Sequence, residues 1–523
     1  MRIVFVQSEF ESLAIGTFSS LLKKIGHECF LVYDQRLFDS MEIQNKFLFR
    51  IFDIRERLIE EIACLNPDLV AFSVLTDQYQ WALDMARRVK KKINVPVIFG
   101  GVHVTMVPDE VISNDCVDMI CIGEGEGAIT DLADSMQHSV IDYGIKNLWF
   151  KKDGKIIKNE VRPLIANLDS LPFSDKLLFR EKLYNNGEHY SIASGRGCPF
   201  SCTYCASEVI NRLSSKGERY VRRRSPEHVI NELILAKTQA RSGLKSINFL
   251  DDTFTYNTNW LKEFCRLYKE KVNVPFHCTG YPSTIDYERT SLLKDAGCYR
   301  LGIGIQSVSE RIRKDILNRP GTNDQIRRAA KACKDVGLSF WFDHILNIPH
   351  ETEEEQIQAL RFYNEVRPPI INIFWLIYYP QTRIITIAKE AGILDDATIA
   401  RINKGQVSTA MVIGIGGEYS FAKERVFANF AFLFHLLPLL PKKWMDRIIE
   451  KRMFMGEKFS PPILVNVLVK SLVRFKLGQS MDAFWFLGVL IKSMFRNLNI
   501  KLYGSNLKAL RKITGLDPTI CKI

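Results

Sequence analysis

The stretch GRGCPFSCTYC, residues 195–205, brings three thiols within eight residues: Cys198, Cys202 and Cys205. It follows a strand-like run, HYSIAS at 189–194. The two glycines allow a tight turn and Pro199 interrupts regular pairing, so we expect the thiols on a loop. Three thiolates on one loop are typical ligands of iron or zinc, and because they are one short of four, a metal there keeps an open coordination position. Buried structural cysteines rarely cluster on such a loop, which favours a metal site.

Length and composition indicate a folded protein of several domains. The 523 residues allow about three domains at roughly 150 residues each. With 46% hydrophobic and 25% charged residues, the chain does not fit the disordered class. The start, MRIVFV, has no basic leader followed by an apolar run, so we expect no signal peptide and a cytoplasmic location. Twelve cysteines then indicate a reducing compartment and a metal site rather than disulfides.

The net charge of +12 lies in the last fifth of the chain. From Ser420 to Ile523 there are 18 Lys and Arg against 6 Asp and Glu, a difference of +12. Of the 71 basic and 59 acidic residues, the first 419 positions therefore keep 53 of each sign. The basic character belongs to the tail alone.

Residues 1–145 alternate predicted strands with helices. The strands are Arg2–Gln7, Cys29–Tyr33, Pro67–Ser73, Val95–Gly100 and Asp118–Ile122. Continuously apolar strands separated by helices predict a doubly wound parallel sheet, Rossmann-like, which binds ligands at the carboxyl ends of its strands. Polar or glycine-rich turns lie at those ends. A nucleotide site is not indicated, because both G-x-G-x-x-G after the first strand and a P-loop are missing.

Residues 146–185 are predicted to be a connector with a β-hairpin around Asp153-Gly154. Residues 186–395 then repeat six βα units, which predicts a partial TIM-type barrel. Its later strands are Ser246–Leu250, Pro275–Cys278, Arg300–Ile305, Ser339–Asp343 and Ile371–Ile377. Chemistry in such barrels gathers at the carboxyl ends of the strands. The three thiols would lie at that rim.

The thiol spacing after the first barrel strand resembles the radical SAM superfamily, over roughly residues 186–395. The resemblance includes FLDDTF at 249–254, GIQS at 304–307 and DHILNIPHET at 343–352. It implies that Cys198, Cys202 and Cys205 hold a 4Fe–4S cluster by three irons and that the fourth iron binds S-adenosylmethionine. An electron from a flavodoxin- or ferredoxin-type donor would then cleave this cofactor to a 5′-deoxyadenosyl radical.

The same resemblance implies further contacts to S-adenosylmethionine. Tyr204 matches an aromatic residue near the adenine, and Asp251 matches the position that holds the methionine amine. Gln306 and Ser307 match the strand end that faces the ribose or carboxylate, and Asn347 begins a turn whose backbone contacts the adenine. No catalytic residue is assigned.

Two positions depart from the family pattern. Gln306 replaces a common Glu, and Tyr281 stands where many relatives have Arg. A structural alternative stays open for each strand-end residue, since polar side chains there also cap helices. Asp252 could be such a cap, with Asp251 turned inward.

Residues 1–145 resemble the cobalamin-binding domain at the front of many radical SAM enzymes, where a G-G-x-H turn and a later G-E-G-E turn recur. The resemblance implies cobalamin contacts at Ser73, Thr76, Gly100, Gly101, His103, Gly123 and Glu124. The D-x-H-x-x-G motif is missing, so we expect no lower His ligand to cobalt. His103 and His27 are the local candidates for an exception, against the default of a turn or surface His.

The tail, residues 396–523, is predicted to be helical, with apolar runs inside 426–441 and 483–491. Both runs are shorter than the ~20 residues that span a bilayer. Interleaved basic pairs such as Lys442-Lys443 leave two alternatives: a helical cap on the barrel, or a cap that also touches the inner face of the membrane or a lipid-like substrate. No nucleic-acid-binding motif accompanies the charge, so nucleic acid is not an expected partner.

These features predict an enzyme, cobalamin-dependent and radical-generating, that methylates an unactivated carbon of a small hydrophobic molecule such as a lipid or tetrapyrrole. A cyclase or rearranging enzyme without methyl transfer is the alternative. A methylthiotransferase would need three clustered N-terminal thiols, whereas Cys29, Cys64, Cys116 and Cys121 are dispersed. A ferredoxin-like carrier would need a fourth thiol ligand and a small domain.

Overall fold

The computed structural model describes most of the chain up to residue 452 and parts of the tail. The described residues are 1–40, 44–138, 141–180, 182–183, 188–213, 220–240, 243–406, 421–452, 454–455, 465, 468–469, 471–473, 490–498 and 500–501. They contain two large sheets, each packed against helices, and a helical tail. This architecture confirms the predicted fold class.

The first sheet has seven strands: β1 (Arg2–Ser8), β2 (Glu28–Asp34), β3 (Leu69–Ser73), β4 (Val97–Gly100), β5 (Met119–Cys121), β6 (Leu148–Lys152) and β7 (Lys155–Lys158). Their order is β2-β1-β3-β4-β5-β6-β7, and the first five are parallel. Its helices are α1 (Leu13–Lys24), α2 (Lys46–Phe52), α3 (Arg55–Cys64), α4 (Tyr79–Lys92), α5 (Val102–Met106), α6 (Pro108–Ile112) and α7 (Glu126–Gln137). The strand order reverses between β1 and β3, and such switch points bind ligands at the carboxyl edge.

Local sequence accounts for these elements. Strands β1 and β3 are almost wholly apolar and buried, as expected for parallel strands covered on both faces. Helix α1 begins after Ser12, whose hydroxyl accepts a hydrogen bond from the Ile15 amide at 3.3 Å. Helix α4 turns one apolar face inward, burying Trp81, Ala82, Met85, Ala86 and Val89.

The predicted hairpin forms, but it extends the first sheet instead of lying in a connector. Strands β6 and β7 pair antiparallel around Asp153-Gly154, both with positive φ, and β6 pairs antiparallel with β5. Leu148 and Phe150 are buried in the sheet's core. The sheet therefore continues past residue 145, because these two apolar side chains complete its packing.

The second sheet is an open barrel. Strand β8 (His189–Ile192) is followed by a short antiparallel pair, β9 (Gly195–Arg196) with β10 (Arg222–Arg223). The remaining strands are β11 (Ser246–Phe249), β12 (Phe276–Gly280), β13 (Cys298–Gln306), β14 (Ser339–Leu346) and β15 (Ile370–Trp375). Strands β8 and β11 to β15 pair in chain order and are all parallel, which confirms the predicted six-unit partial barrel.

Helices cover the outer face of the barrel and follow its strands. They are α9 (Ala206–Asn211), α10 (Pro226–Gln239), α11 (Thr258–Lys271), α12 (Tyr287–Asp295), α13 (Asn323–Asp335), α14 (Glu353–Val366), α15 (Arg383–Glu390) and α16 (Asp396–Asn403); α8 (Leu177–Arg180) instead precedes β8 and packs on the first sheet. Capping boxes begin two of them, with Thr322 before α13 and Thr352 before α14. These caps direct both helices back from the carboxyl rim.

Two helices of the tail pack on the last elements of the barrel. Helices α17 (Phe421–Leu436) and α18 (Lys442–Glu450) contact α14, and α17 also contacts β15. The Asn364 amide donates to Asp446 at 2.6 Å, which ties α18 to the barrel. Most of the predicted apolar run at 483–491 lies outside the described residues. Among those described, every helix is too short or too polar to cross a membrane.

Candidate functional site

The cysteine loop is held in a defined shape where it leaves β9. Gly197 has φ +85°, and a Cβ there would lie 2.4 Å from the Tyr220 carbonyl oxygen. Only glycine fits this approach. Further along, the Thr203 amide donates to the Leu317 carbonyl at 3.0 Å and its hydroxyl to the Ile316 carbonyl at 2.7 Å. The loop is thus fixed against the segment that follows β13.

The three thiols are neighbours on this loop. Cys202 is buried, and Cys198 lies 4.0 Å from the Thr253 hydroxyl at the end of the second barrel strand. Burial raises the pKa of the Cys205 thiol to about 11, and the charges of Cys202, Asp252 and Cys198 add to this effect. Thiolates so close repel one another unless a cationic centre holds them.

This donor set fits an iron–sulfur cluster better than a single ion. Within the described residues, no three His, Cys, Asp or Glu side chains are close enough to hold one metal ion. In a cluster each thiolate binds a different iron, so the ligands do not converge on one point. Cys198, Cys202 and Cys205 would hold the cluster.

Arg319 is a functional side chain that the sequence analysis missed. Its Nη1 donates to Cys202 Sγ at 3.2 Å, and its Nη2 donates to the Gly304 carbonyl inside the barrel. Burial alone would lower the pKa of Arg319, but the neighbouring Tyr204 and Cys202 raise it above its usual value, so the guanidinium stays charged. The guanidinium brings a positive charge to the cysteine loop.

The position of Arg319 explains one departure from the family pattern. Its guanidinium lies 4.3 Å from the centroid of the Tyr281 ring, a cation–π contact. Tyr281 also stacks on Phe200 of the cysteine loop, with ring centroids 3.8 Å apart. Tyr281 stands where many relatives have an arginine, and Arg319, from the segment after β13, places a guanidinium beside it.

The two aspartates after β11 have different surroundings from those expected. Both carboxylate oxygens of Asp251 accept hydrogen bonds from Ser194, at 2.9 Å from its amide and 2.6 Å from its hydroxyl. Asp251 therefore fixes the start of the cysteine loop, which corrects the expectation that it is turned towards the cofactor amine. Asp252 is not a helix cap; its charge acts on Cys198 and Cys205. Asp252 and Arg319 are complementary to the amine and carboxylate of S-adenosylmethionine.

The other predicted contacts to S-adenosylmethionine divide into two groups. Tyr204 packs near Cys202 and Arg319, while Gln306 and Asn347 sit at strand ends with left-handed backbones, φ 69° and 64°. Ser307 already has partners within the protein: its hydroxyl accepts from the Ser309 amide at 3.2 Å and donates to the buried Glu351 carboxyl at 3.4 Å. The roles of the first group remain predictions, whereas the hydroxyl of Ser307 is taken up by hydrogen bonds to Ser309 and Glu351.

The carboxyl edge of the first sheet opens into a cavity of about 360 Å³. Predicted cobalamin residues line it, namely Ser73, Gly100, Gly101, Gly123 and Glu124. Its far wall comes from the barrel, with Ile192, Ala193 and Arg196 beside the cysteine loop. Gly101 has φ +101°, and a Cβ would meet the Val74 amide at 2.7 Å, so the turn requires glycine.

Unpartnered polar atoms show that the same edge fits cobalamin. Gln7 Oε1, Ser8 Oγ and Asp77 Oδ2 are buried without a hydrogen-bond partner among the described residues. They lie at or near the switch between β1 and β3, and buried acceptors of this kind are costly unless they are paired. The amide side chains on the rim of cobalamin are suitable donors.

The histidine candidates for a cobalt ligand do not face this cavity. His103 is fully buried, contacts the Thr76 hydroxyl through Nδ1 at 3.2 Å and packs 4.3 Å from the Tyr79 ring. Burial lowers the pKa of His103 to about 4. His27 precedes β2 at the opposite, amino edge of the sheet. Thr76 and His103 thus support the turn, and neither lines the cavity.

Glu124 joins the two sheets through ion pairs. It accepts hydrogen bonds from Arg196 at 2.9 Å, from both Arg222 Nη atoms at 2.9 and 3.0 Å, and from the Ile165 amide at 2.8 Å. Although burial alone would raise it, these arginines hold the pKa of Glu124 below its usual range. Neighbouring Glu126 also pairs with Arg196. The G-E-G-E turn is a clamp on β9 and β10, and we name it the Glu124 clamp.

The two carboxyl edges face each other. Helix α5, which follows Gly101, packs against α9, which follows Cys205. Burial raises the pKa of the Tyr379 hydroxyl to about 12, and the charges of Asp77 and Cys205 add to this effect. Tyr379 therefore responds to charges on both the cobalamin edge and the cysteine loop.

Four residues of the site were not predicted from the sequence, because each acts through contacts that are distant in the chain: Arg196, Arg222, Arg319 and Tyr379. Arg196 and Arg222 did carry a signal, since basic residues flank the cysteine loop on both sides. No sequence pattern marks Arg319. It lies in an irregular segment, directly after Asn318, which has a left-handed backbone.

Comparisons with known proteins agree with this geometry. Residues 192–363 match the Radical SAM superfamily, and residues 6–133 match the B12 binding domain. An uncharacterized methyltransferase of Pyrococcus horikoshii is 31% identical over 324 residues, 61% of this chain and 69% of that protein. The anaerobic magnesium-protoporphyrin IX monomethyl ester cyclase of Rubrivivax gelatinosus is 25% identical. This match covers 62% of this chain and 59% of the cyclase.

A solved structure shares the fold over nearly the whole chain. The cobalamin-dependent S-adenosylmethionine radical enzyme OxsB, with aqua-cobalamin and S-adenosylmethionine bound, superposes with a TM-score of 0.62 at 14% identity. The match covers 95% of this chain and 84% of OxsB. With both domains matched and both edges fitted to their cofactors, the chain is an enzyme that uses a 4Fe–4S cluster, S-adenosylmethionine and cobalamin. It belongs to the cobalamin-binding radical SAM enzymes.

Proposed function

We propose that this enzyme transfers a methyl group from S-adenosylmethionine to an unactivated carbon of a small molecule. The observation that carries the proposal is that the two carboxyl edges face each other: α5 packs against α9, and barrel residues 192–196 form the far wall of the cavity at the edge of the first sheet. A substrate between the edges would meet a radical generator on one side and a methyl donor on the other. The resemblance to a methyltransferase of Pyrococcus horikoshii supports the same reaction class.

The bound groups supply a primary carbon radical on the barrel side and a methyl donor on the side of the first sheet. Each turnover uses two molecules of S-adenosylmethionine. One loses its methyl group and leaves as S-adenosylhomocysteine; the other takes up an electron and leaves as methionine and 5′-deoxyadenosine, which carries the hydrogen from the substrate. The substrate exchanges this hydrogen for the methyl group. An external donor of the flavodoxin or ferredoxin type supplies two electrons per turnover, one to cleave S-adenosylmethionine and one to balance the joining of a methyl cation equivalent to the substrate radical.

The chain's own residues bind and position these groups. Cys198, Cys202 and Cys205 hold the cluster, and Asp252 and Arg319 orient the amino acid part of S-adenosylmethionine. The Glu124 clamp keeps the cysteine loop at a fixed place relative to the cobalamin edge. The apolar tail favours a hydrophobic substrate, and that identity remains a prediction.

A product count tests the reaction class. The anaerobically reconstituted full chain is incubated with S-adenosylmethionine carrying a deuterated methyl group, a reductant and a pool of small apolar metabolites. We expect S-adenosylhomocysteine and 5′-deoxyadenosine in equal amounts, together with a product that carries the deuterated methyl. Chromatography with mass spectrometry measures all three.

The resemblance to a cyclase favours one second candidate, a ring-forming enzyme without methyl transfer. It would release 5′-deoxyadenosine without S-adenosylhomocysteine and leave the product free of deuterium. That outcome would contradict the methyltransferase proposal and leave the assignment of the cofactors unchanged.

A further inference from the structure

A surface built from both ends of the chain lies on the outside of the first sheet. Residues 490–498 of the tail are helical and pack against α2. Leu490, Met494 and Leu498 contact the cluster formed by Leu37, Phe38 and Phe52. Asn497 donates to the Phe52 carbonyl at 2.9 Å, and Lys501 donates to the Arg50 carbonyl at 2.8 Å. The tail helix is therefore fixed beside α2.

Both helices leave large apolar side chains in solvent after this packing. On α2, Phe47 is 72% exposed and Ile51 is 37% exposed. On the tail helix, Phe495 is 65% exposed and Ile491 is 44% exposed. Each pair is four residues apart, so each occupies one side of its helix, away from the shared contact. Isolated exposed apolar residues are normal, but two such pairs on two helices that pack together need an explanation.

The charges within the two helical segments are all of one sign. Residues 46–52 and 490–501 contain five basic and no acidic residues, the basic ones being Lys46, Arg50, Lys492, Arg496 and Lys501. Within the described residues, no carboxylate pairs with Lys46, Arg50 or Lys492. The nearby acids of α3 are already paired, Glu60 with Arg57 at 2.7 Å and Glu61 with Lys182 at 3.1 Å.

We infer that this α2–tail surface, formed by Lys46, Phe47, Arg50, Ile51, Ile491, Lys492 and Phe495, docks on an anionic lipid bilayer. Two aromatic side chains enter the interface between head groups and acyl chains, while the basic side chains contact lipid phosphates. Charge complementarity argues for lipid as the occupant. A second copy of this chain would bring basic residues against basic residues.

Docking is an association at the surface and does not require a membrane-spanning helix. The surface joins residues more than 440 positions apart in the sequence, and its apolar pairs need the tail helix to lie beside α2. This inference goes beyond the methyl transfer proposed above and does not depend on it.

Co-sedimentation of the full chain with vesicles tests the inference. One set of vesicles contains equal parts of phosphatidylglycerol and phosphatidylcholine, and the other contains phosphatidylcholine alone. We expect binding to the first set only, weakened by salt because screening shortens the reach of surface charges. The triple variant K46Q/R50Q/K492Q loses about fivefold in partitioning for each charge removed.

A second variant tests the apolar part of the surface. The double variant F47S/F495S removes both aromatic side chains from solvent-exposed positions and is expected to lose vesicle binding while its melting temperature is unchanged. Tyr287→Ser, on exposed α12 of the barrel, is the matched control and keeps binding. Binding that is equal for both vesicle types, or unchanged in both variants, would overturn the inference. A concentration-dependent dimer that F47S/F495S abolishes would overturn it as well, in favour of a second copy.

Discussion

Arg319 connects the chemistry of the cysteine loop with the interior of the barrel. Its guanidinium reaches Cys202 Sγ, the Gly304 carbonyl of β13 and the face of Tyr281. A hydrogen bond to a cluster ligand stabilises the form with more negative charge, which is the reduced cluster. Arg319 therefore acts as a positioning residue that makes the cluster easier to reduce.

Replacing Arg319 by methionine is expected to lower the midpoint potential of the cluster. A charge-assisted hydrogen bond worth about 1.5 kcal/mol between the two redox states corresponds to roughly 60 mV for one electron. Titration followed by electron paramagnetic resonance measures this shift in the reconstituted protein. Iron content should stay unchanged, because all three thiols remain.

Arg383 offers a matched control for this change. It donates to the Ser201 carbonyl on the same loop at 2.9 Å without reaching a thiol. Arg383→Met should leave the potential where it is in the wild type. Equal potentials for Arg319→Met and the wild type would show that the sulfur contact has no influence on the cluster.

At single residues the sequence was informative where chemistry is coded by spacing. The Cys-x3-Cys-x2-Cys pattern identified the loop, because three ligands in a short segment must meet. It could not separate Asp251 from Asp252, since two adjacent carboxylates differ only in what they meet in the fold. Asp251 accepts hydrogen bonds from Ser194, which is 57 residues away in the sequence, and such a contact cannot be read from the local pattern.

The Glu124 clamp is the element that joins the first sheet to the barrel. Removing its charge with Glu124→Gln leaves Arg222 buried without its carboxylate partner. We expect a loss of about 2–3 kcal/mol in stability, below the range for a fully buried pair because the Arg196 side chain is 31% exposed. Hydrogen exchange should rise in residues 195–205 and 220–224, while α14 stays protected.

The clamp also has a pH dependence with a defined sign. A carboxylate whose pKa is lowered in the folded state contributes stability above its unfolded pKa, about 4.3 for Glu, and loses it as the pH falls further. The protection factors of amides in the cysteine loop, taken relative to the intrinsic exchange rate at each pH, should therefore be high at neutral pH and fall below about pH 4.3. Glu160→Gln, in an exposed pair with Lys146, serves as the control and should change neither property.

Elements were predictable where hydrophobic pattern and packing agree. All six barrel strands appeared as apolar runs near their observed positions, because each is buried against helices. The hairpin β6–β7 was also predicted, yet its pairing with β5 was not. A turn signal at Asp153-Gly154 fixes the local loop, whereas the partner strand depends on where Leu148 and Phe150 find a core.

At the scale of the molecule, the cavity at the carboxyl edge of the first sheet could not be predicted from the sequence. It needs the barrel residues 192–196 as its far wall. We expect that Ser73→Phe fills it and lowers cobalamin retention at least about tenfold, while iron content and melting temperature are kept. Optical spectra after gel filtration with hydroxocobalamin give the retained amount.

Ser113→Phe, an exposed position on the same domain, is the control for a large aromatic side chain. It should retain cobalamin like the wild type. Full retention by Ser73→Phe would place the cofactor elsewhere. Loss of iron as well would indicate a general folding defect of Ser73→Phe. Gly100→Val, at the same cavity, would then be measured in its place, with the same expected loss of cobalamin and unchanged iron content.

The central claim is that the cluster and cobalamin face each other across one substrate space. The most direct test is the spin relaxation of cob(II)alamin bound to the full chain, measured by electron paramagnetic resonance with the cluster oxidised and then reduced. The account predicts faster relaxation when the cluster is reduced, since dipolar coupling between two close paramagnets shortens it. Cys202→Ala, which removes a cluster ligand and leaves the first sheet intact, should abolish the difference. Identical relaxation in both cluster states of the wild type would contradict the facing arrangement.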